Sequence, residues 1–368
     1  MRILVLIHEF PPVGGGGGRV AQDIAQGLFQ RGHEIVIIAP HLKGLPREEV
    51  IDGIRIIRVP SLRREAFRAG LFTMGAYLLC GLWVGLRLTN KWKPDIIHVH
   101  FAVPAGVLAW VLSWMKGIPY ILTIHLGDVP GGAPEKTDGW FRWIFPFTRP
   151  IWRDAKKVIA VSEFTRQLAL KHYPVEIEVI HNGVDLIRLD PGEIHIQNPP
   201  RIIFAGRLML QKNPLQIVRT LAKVKDLPWE CVLLGDGPMR EDVENEIIRH
   251  NLQDRFTLPG WVTPEDVISW FAKSDILFMP SLSEGLPVVG VQALAMGLAM
   301  VVSNIGGFVE LVDSGKNGFL VDHLNDYENK MRYLLSSPTD LIACREASRI
   351  HAEKFSLEKI VLDYETFL

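Results

Sequence analysis

The feature that most constrains the fold of this chain is an alternation of short apolar runs, rich in β-branched residues, with longer helical patterns. The alternation occurs twice along the 368 residues. Continuous apolar strands separated by helices are typical of a parallel sheet covered on both faces. We therefore predict an α/β chain with two Rossmann-like, doubly wound domains. The predicted strands are 3–7, 35–39, 54–59, 96–100, 120–125, 157–161 and 178–181, then 202–205, 230–235, 256–258, 276–279, 299–303 and 319–321.

The domain boundary is predicted in a polar segment, rich in proline, at 189–200. We expect an N-terminal domain of residues 1–188, a second domain of residues 189–338, and C-terminal helices in residues 339–368. Ligands of open parallel sheets bind beyond the carboxyl ends of the strands. Two domains of this kind can therefore face one cleft.

Composition excludes several classes of function. The net charge is −1, from 40 lysines and arginines against 41 acidic residues, so no basic field favours nucleic acid as a partner. The cysteines (Cys80, Cys231 and Cys344) match no zinc or redox spacing and indicate a reducing, cytoplasmic compartment. The first ten residues lack the pattern of a secretory signal, and we expect a buried strand there.

One apolar segment, 70–88, is long enough to span a membrane. Arg87 lies inside it, glycines interrupt it, and it stands between two predicted strands. We therefore expect a buried crossover helix. A helix that touches the membrane is the less favoured alternative.

A glycine-rich loop, PPVGGGGGR at 11–19, follows the first strand and precedes a helical pattern. Glycines such as Gly15, Gly16 and Gly17 allow the backbone to approach a ligand closely, although a merely flexible loop is an alternative. A dinucleotide fingerprint is excluded because Arg19 replaces the third glycine and no acidic residue follows the second strand. A Walker lysine is also missing.

Two cations and a helix start favour a phosphate site in the second half. Arg207, after Gly206, and Lys212 can converge on a diphosphate, although alone they would indicate a solvated surface pair. Near 281–302, Glu284 precedes a turn and the start of an apolar helix, whose exposed N–H groups suit an anion. The Glu284 carboxylate can accept hydrogen bonds from hydroxyls. A site for phosphate beside a site for a polyol suggests a nucleotide sugar as the ligand.

Histidines follow the strands of the first half. His98 and His100 end one predicted strand and His125 ends another, which invites a zinc hypothesis. The sequence supplies no clear fourth ligand, so we expect no metal site. Asp128 is a candidate for contact with a sugar or acceptor, and capping of a helix is its alternative role. His100 is a second candidate on that acceptor or sugar side.

These motifs, in this order, resemble those of the retaining family 4 glycosyltransferases (glycosyl transferases group 1), which have the GT-B fold. The resemblance covers nearly the whole chain and includes HNGVD at 181–185, LGDGP at 234–238 and SNIGGFVE at 303–310. The spacing from Glu284 to Gln292 resembles the E-x7-E signature of the family, with glutamine at the second position. In this family a final helix often crosses back to the first domain.

The resemblance implies roles for individual residues. Arg207 and Lys212 would bind the leaving diphosphate, Glu284 a sugar hydroxyl, and His125 the transferred sugar from the opposite domain. Gln292 would bind the ribose hydroxyls, more weakly than a glutamate because an amide is the weaker acceptor. The remaining donor-binding residues would be Gly15, Gly16, Gly17, Gly206, Gly235, Gly260, Trp261, Val262, Gly285, Leu286, Pro287 and Val288.

The implied activity is transfer of a sugar from a nucleotide-diphosphate sugar to a hydroxyl acceptor, with retention and without a metal or other cofactor. A UDP-sugar is the first expectation and a GDP-sugar the next, in glycan, glycolipid or polysaccharide synthesis. The apolar segments 67–88 and 128–143 suit a lipid-linked acceptor and weak peripheral contact with the cytoplasmic membrane face. A GT-B phosphorylase or epimerase and a non-catalytic two-lobed sugar- or nucleotide-binding protein stay open as alternatives.

Overall fold

The structure of this chain is a computed structural model that describes residues 1–65, 70–132 and 134–368, with the side chains of residues 134–143 left out. The predicted segments 67–88 and 128–143 therefore lie partly outside the described residues. The chain forms two compact units. One comprises Met1–Gly183 with Leu357–Leu368, and the other is Val184–Ser356.

The division between the units lies at 183/184, five residues before the expected boundary at 188/189. It lies there because Val184 bonds within the second unit, where its N–H donates to the Phe355 carbonyl at 2.9 Å. The C-terminal residues, which were expected to form one segment at 339–368, are divided between the two units. Residues up to Ser356 belong to the second unit, and only the last helix belongs to the first.

The first unit alternates strands and helices as predicted. Its strands are β1 (Arg2–Leu6), β2 (Glu34–Leu42), β3 (Glu48–Ile51), β4 (Ile54–Arg63), β5 (Ile96–His100), β6 (Tyr120–Ile124), β7 (Lys157–Ala160) and β8 (Ile177–Val179). Its helices are α1 (Gly16–Gln30), α2 (Leu71–Trp92), α3 (Val107–Lys116), α4 (Pro134–Arg153) and α5 (Glu163–Leu170), and a π-helical turn spans Ala102–Gly106. Apolar residues of α1 recur every three or four positions and are buried, for example Val20, Ile24 and Leu28.

The sheet of the first unit has the order β3-β4-β2-β1-β5-β6-β7-β8. Every neighbouring pair is parallel except β3 with β4. The order reverses between β1 and β5, which is where doubly wound sheets bind ligands. The antiparallel strand β3 was not predicted, because its sequence EEVI has no continuous apolar run.

The second unit is built in the same way. Its strands are β9 (Arg201–Ala205), β10 (Glu230–Leu234), β11 (Phe256–Gly260), β12 (Ile276–Met279), β13 (Ala299–Ser303) and β14 (Gly318–Val321). Its helices are α6 (Pro214–Lys223), α7 (Arg240–Arg249), α8 (Pro264–Phe271), α9 (Val288–Ala295), α10 (Phe308–Leu311), α11 (Asp326–Ser336) and α12 (Pro338–His351), and α13 (Leu357–Glu365) belongs to the first unit.

The second sheet is wholly parallel, in the order β11-β10-β9-β12-β13-β14. Its order reverses between β9 and β12, the first and fourth strands of the unit, as in a Rossmann domain. The inner strands β1, β5, β6, β9, β10, β12 and β13 are almost entirely buried, as covered parallel strands should be, whereas the outer strands β3, β4 and β11 are partly exposed. The predicted α/β class with two Rossmann-like domains is confirmed.

The expectation that residues 70–88 form a buried helix was wrong with respect to burial. The segment is helical, as α2, but 22% of its most apolar stretch is buried. Phe72, Leu79 and Trp83 are 89%, 75% and 56% exposed. The prediction failed because apolar composition all round a helix does not show how much of it the domain covers. By length and composition, α2 is the one helix in the described residues that could cross a membrane.

Candidate active site

The predicted phosphate residues lie at the switch point of the second sheet. β9 ends at Ala205 and leads into Gly206 and Arg207, and β12 ends at Met279 and leads into the loop before α9. β9 and β12 are adjacent parallel strands, paired through Ile202 and Ile276. Their carboxyl ends therefore bring Arg207, Lys212 and Glu284 to one edge of the sheet, although 72 residues separate Lys212 from Glu284.

Lys212 and Glu284 form an ion pair, with 2.6 Å between Nζ and Oε1. Both side chains are largely buried, at 17% and 6% exposed. Gln211 connects the same two loops. Its side-chain Nε2 donates to the Ser283 carbonyl at 3.0 Å, and its backbone carbonyl accepts a hydrogen bond from the Leu282 N–H at 2.7 Å. The sequence predicted both charged residues in the site, but it did not predict that they pair with each other.

Two glycines press against the loop that carries Glu284. A Cβ at Gly306 would overlap the Glu284 carbonyl oxygen, and one at Gly307 would overlap the Gly285 carbonyl oxygen. Gly306 also has a φ of 52°, which disfavours other residues. Only glycine at these positions lets the backbone come this close. The loop is therefore held by backbone packing as well as by the ion pair.

Helix α9 begins at Val288, directly after Gly285, Leu286 and Pro287. The structure thus confirms a helix start beside Glu284. Gln292 is half-buried in α9 and stands one turn after Val288, so both residues lie on the same side of the helix. Binding of the ribose hydroxyls by Gln292 stays a prediction.

Several of the predicted donor-binding residues lie at the neighbouring strand ends. The Gly235 N–H donates to the Gly260 carbonyl at 2.9 Å, which joins the ends of β10 and β11. Trp261 follows and is 51% exposed, so it is not a core aromatic. Arg240, which sequence reasoning missed, donates to the Leu258 carbonyl at 3.1 Å beside Gly260. Its only sequence signal is a position just after LGDGP.

Arg207 differs from Lys212 in its surroundings. Its side chain is half-buried, and within the described part of the chain it makes no hydrogen bond or ion pair. A guanidinium without a protein partner can bind two anionic oxygens at once. The second unit therefore holds one uncompensated cation and one paired cation near the start of α9.

In the first unit, the glycine loop and His125 meet. α1 begins inside the glycine run, and the Gly15 N–H donates to the Glu9 carboxylate at 3.2 Å. A Cβ at Gly17 would lie 2.5 Å from Cζ of Phe101 and 3.4 Å from Cε1 of His125. The glycine at position 17 is therefore needed so that the start of α1 can rest against these two rings.

Phe101 was not predicted as part of this site. Its φ of 72° is unusual for a residue other than glycine, and such strain costs about 1–3 kcal/mol. Its ring stacks on His125 with 4.3 Å between centroids, and the His8 ring packs edge-on against it at 4.8 Å. The strained residue follows β5 directly, at the switch point of the sheet. No sequence pattern marks it beyond that position.

The histidines around Phe101 are buried and neutral at neutral pH. Burial lowers the pKa of His125 to about 3 and the pKa values of His8 and His98 to about 4. The pKa of His100 falls well below its usual value for the same reason. Nε2 of His125 has no hydrogen-bond partner among the described residues. A neutral imidazole with an unused nitrogen can bind a hydroxyl as donor or acceptor.

Asp128 and His100 support His125 from within the fold. Asp128 is 4% exposed, and its carboxylate accepts the N–H groups of His125 and Ala102, each at 2.8 Å. Burial raises the pKa of Asp128 to about 7. His100 is fully buried, and its ring lies 5.8 Å from that of His125. Their contact with a sugar or acceptor stays a prediction.

The described residues contain no group of three histidine, cysteine, aspartate or glutamate side chains that could hold a metal ion. His98 binds instead to Thr123, with 2.9 Å between Nε2 and Oγ1. Thr123 in turn lies 3.2 Å from the hydroxyl of Tyr364, on α13. His98 thus belongs to a polar chain that fastens the last helix to the first sheet.

Comparison with known proteins identifies relatives of both halves. The family model for Glycosyltransferase Family 4 matches residues 14–188, and that for Glycosyl transferases group 1 matches residues 189–351. An uncharacterized glycosyltransferase of Methanocaldococcus jannaschii is 27% identical over 318 residues, which cover 86% of this chain and 84% of that protein. A UDP-Gal:alpha-D-GlcNAc-diphosphoundecaprenol alpha-1,3-galactosyltransferase of Escherichia coli is 28% identical over 70% of this chain and 69% of its own length.

Solved structures share the fold over the whole chain. Sucrose-phosphate synthase of Thermosynechococcus elongatus superimposes with a TM-score of 0.85 at 19% identity, over 99% of this chain and 97% of that one. HepE of Anabaena, in complex with UDP and glucose, gives a TM-score of 0.79 at 18% identity, over 100% and 98%. The two parallel sheets and these neighbours confirm the GT-B fold. Together, the two family matches and the fold show that the chain belongs to the family 4 glycosyltransferases.

Proposed function

We propose that this protein transfers a sugar from a nucleotide-diphosphate sugar to a hydroxyl acceptor, with retention of anomeric configuration and without a metal or other cofactor. The observation that carries the proposal is the Lys212–Glu284 pair at the switch point, beside Arg207 and the start of α9. It supplies a cation for phosphate and a carboxylate for sugar hydroxyls side by side.

The cations act on the leaving group. As the bond from the anomeric carbon to the phosphate oxygen breaks, negative charge grows on the diphosphate. Lys212 and Arg207 stabilise that charge, together with the N–H groups at the start of α9. Fixed donors of this kind typically contribute about 3–4 kcal/mol each to transition-state stabilisation. This role needs no metal ion, because the side chains and amides supply the positive charge.

Glu284 and His125 hold the sugar. The Glu284 carboxylate accepts hydrogen bonds from sugar hydroxyls once the phosphate takes Lys212 as its partner. His125 binds a hydroxyl through the unused Nε2, and its depressed pKa keeps the ring neutral. It therefore acts as a hydrogen-bonding group and not as an acid. Gln292 binds the ribose hydroxyls through its amide, more weakly than a carboxylate would.

The transfer is a front-face reaction, in which attack and departure take place on the same face of the sugar. The acceptor oxygen forms its bond to the anomeric carbon on the face from which the diphosphate departs. The acceptor proton passes to the leaving phosphate oxygen, so the charges balance without a protein nucleophile. Departure and attack on one face retain the anomeric configuration.

Two relatives support the choice of donor and acceptor. The HepE structure contains UDP and glucose, which favours a UDP-sugar here, with a GDP-sugar as the next choice. The name of the Escherichia coli relative specifies a diphosphoundecaprenol acceptor, which favours a lipid-linked acceptor. We place the reaction in the cytoplasm, in glycan, glycolipid or polysaccharide synthesis.

The proposal is tested by product analysis. The protein is incubated with UDP-, GDP- and ADP-sugars and an undecaprenyl-diphosphate sugar, with and without EDTA, and the new glycosidic linkage is examined by NMR. We expect a product from a UDP-sugar that keeps the anomeric configuration of the donor and forms equally well in EDTA. An inverted linkage, or a reaction abolished by EDTA and restored by a divalent metal, would contradict the mechanism.

A further inference from the structure

The solvent-facing side of α2 carries bulky apolar residues. Phe72, Leu79 and Trp83 are spaced seven and four residues apart, so they lie on one side of the helix. They are 89%, 75% and 56% exposed, and Leu71 beside them is 60% exposed. Large apolar side chains in a continuous exposed stripe mark interaction surfaces on soluble proteins. We call this stripe, formed by Leu71, Phe72, Leu79 and Trp83, the α2 stripe.

The opposite side of α2 fixes the orientation of the helix. Its buried residues include Tyr77, Gly81 and Gly85. A Cβ at Gly81 would lie 2.8 Å from Cδ2 of Leu108, and one at Gly85 would lie 2.8 Å from Cδ1 of Leu112. The glycine side of α2 is therefore packed on α3 and runs parallel to it. The helix, about 33 Å long at 1.5 Å per residue, lies along the surface of the first unit.

α3 also carries exposed apolar residues. Trp114 and Met115 are 82% and 48% exposed near the end of α3. The end of α3 is tied to the end of α2, because Nζ of Lys116 donates to Oδ1 of Asn90 at 2.8 Å. Two exposed tryptophans, Trp83 and Trp114, therefore stand on neighbouring helices. Tryptophan is enriched where proteins meet the headgroup region of a bilayer.

The charges of the two helices have one sign. α2 and α3 contain Arg87, Lys91 and Lys116 and no acidic residue, and all three cations are exposed. The Arg87 guanidinium lies 3.5 Å from the centroid of the Trp83 ring, so a cation is attached to the apolar stripe itself. Apolar residues flanked by cations complement an anionic lipid surface, with apolar side chains among the acyl chains and cations at the headgroups.

We propose that the α2 stripe, with the three cations, is a docking surface for an anionic lipid bilayer, on which α2 lies flat. The helix does not span the bilayer, because its glycine side is occupied by α3. A second copy of the chain is a poorer occupant, since its α2 and α3 offer no acidic residue to pair with Arg87, Lys91 and Lys116. This inference concerns where the protein works and does not depend on which nucleotide sugar it uses.

The test is flotation of the whole protein with vesicles of phosphatidylcholine alone or of equimolar phosphatidylcholine and phosphatidylglycerol. We expect the protein to float with the anionic vesicles only. The triple variant Phe72→Ser, Leu79→Ser and Trp83→Ser should lose at least about ten-fold in bound fraction. A matched triple variant, Ile187→Ser, Leu324→Ser and Ile350→Ser, removes residues of similar exposure (92%, 55% and 69%) in the second unit and should float normally.

A second variant tests the charges and leaves the four apolar side chains of the stripe in place. Replacing Arg87, Lys91 and Lys116 with glutamine should weaken binding to anionic vesicles about five-fold for each cation removed. The thermal shift produced by UDP should be the same in all variants, which separates this proposal from that of the donor site. The proposal would be overturned if the protein did not float with anionic vesicles, or if the matched triple variant lost as much binding as the stripe variant. It would also be overturned if the protein were a dimer without lipid and the stripe variant converted it to a monomer.

Discussion

Nζ of Lys212 lies 2.6 Å from Oε1 of Glu284, so the two residues predicted to bind different parts of the donor are bound to each other. In the proposed mechanism, Lys212 binds a phosphate oxygen in place of Glu284 when a nucleotide sugar binds, and the Glu284 carboxylate then accepts hydrogen bonds from sugar hydroxyls. The pair therefore keeps both charges satisfied in the largely buried site.

The first prediction distinguishes the role of Glu284 from that of Lys212. UDP lacks the transferred sugar that Glu284 is proposed to bind, so Glu284 contributes nothing to UDP binding and competes with the diphosphate for Lys212. We expect Glu284→Gln to tighten UDP binding severalfold and to lower the transfer rate by about a hundred-fold or more. Isothermal titration with UDP and a transfer assay measure both effects. Glu241→Gln, an exposed carboxylate of the same unit, is the control, and weaker UDP binding by Glu284→Gln would contradict the account.

The second prediction concerns the glycine that supports the Glu284 loop. Gly306→Ala places a Cβ against the Glu284 carbonyl oxygen at a φ of 52°. Gly315→Ala imposes the same kind of backbone strain, at a φ of 87°, but its Cβ meets no atom within 4 Å. We expect Gly315→Ala to lower the free energy of unfolding by about 1–2 kcal/mol without weakening UDP binding.

Gly306→Ala should be destabilising by a larger amount and should also weaken UDP binding. Denaturant unfolding and UDP titration of the two variants give the comparison. Equal effects of the two substitutions would show that the close approach at Gly306 has no bearing on the donor site.

The third prediction concerns the glycine loop. Gly17→Ala places a Cβ 2.5 Å from the Phe101 ring, so this ring, which stacks on His125, must shift. Gly75→Ala is its control, because a Cβ there has open space and Gly75 lies in α2, outside the predicted donor-binding residues. We expect Gly17→Ala to reduce kcat for transfer by about ten-fold or more, since a displacement of about 1 Å can cost a hundred-fold. Normal turnover by Gly17→Ala would show that the position of His125 does not matter for the reaction.

The fourth prediction is a pH dependence of stability. The folded-state pKa values of His8, His98 and His125 are depressed to about 4, 4 and 3. Between about pH 6.5 and 4, the unfolded chain therefore binds more protons at these residues than the folded one. Stability falls as the pH falls through this window. Asp128 acts in the opposite direction, because its folded-state pKa is raised to about 7 and the folded protein keeps that proton.

Three histidines outweigh one carboxyl, so the free energy of unfolding should decrease from pH 6.5 to 4. Asp128→Asn removes the opposing contribution, and its stability should fall more steeply over the same range. Denaturant unfolding at several pH values measures both slopes, with the exposed Asp254→Asn as control. A stability that stays level from pH 6.5 to 4 would contradict the assigned protonation states.

Much of the fold was predictable because its parallel strands are short, apolar and evenly interrupted. The strands at 276–279 and 299–303 were predicted to the residue. β3 was missed because polar edge strands carry little hydrophobic signal. The exposure of α2 could not be predicted, since its packing side consists of glycines whose role shows only when Leu108 and Leu112 are in place.

Within the candidate site, the sequence indicated the charged residues and the glycine loops but not their supports. Arg207, Lys212 and Glu284 stand in short motifs with recognisable spacing. Phe101 and Arg240 do not, because their positions depend on how distant strand ends meet in the sheet. The pairing of Lys212 with Glu284 likewise depends on β9 and β12 being neighbours.

The most direct test of the central claim is the thermal stability of the protein with UDP, GDP and ADP, compared with Lys212→Ala and with Lys225→Ala as the matched exposed lysine. A ligand at about 100 times its dissociation constant adds about 2.7 kcal/mol to the free energy of unfolding. We predict a clear stabilisation by UDP that Lys212→Ala abolishes and Lys225→Ala retains. No stabilisation by any of the three nucleotides, or full stabilisation of Lys212→Ala, would contradict the account.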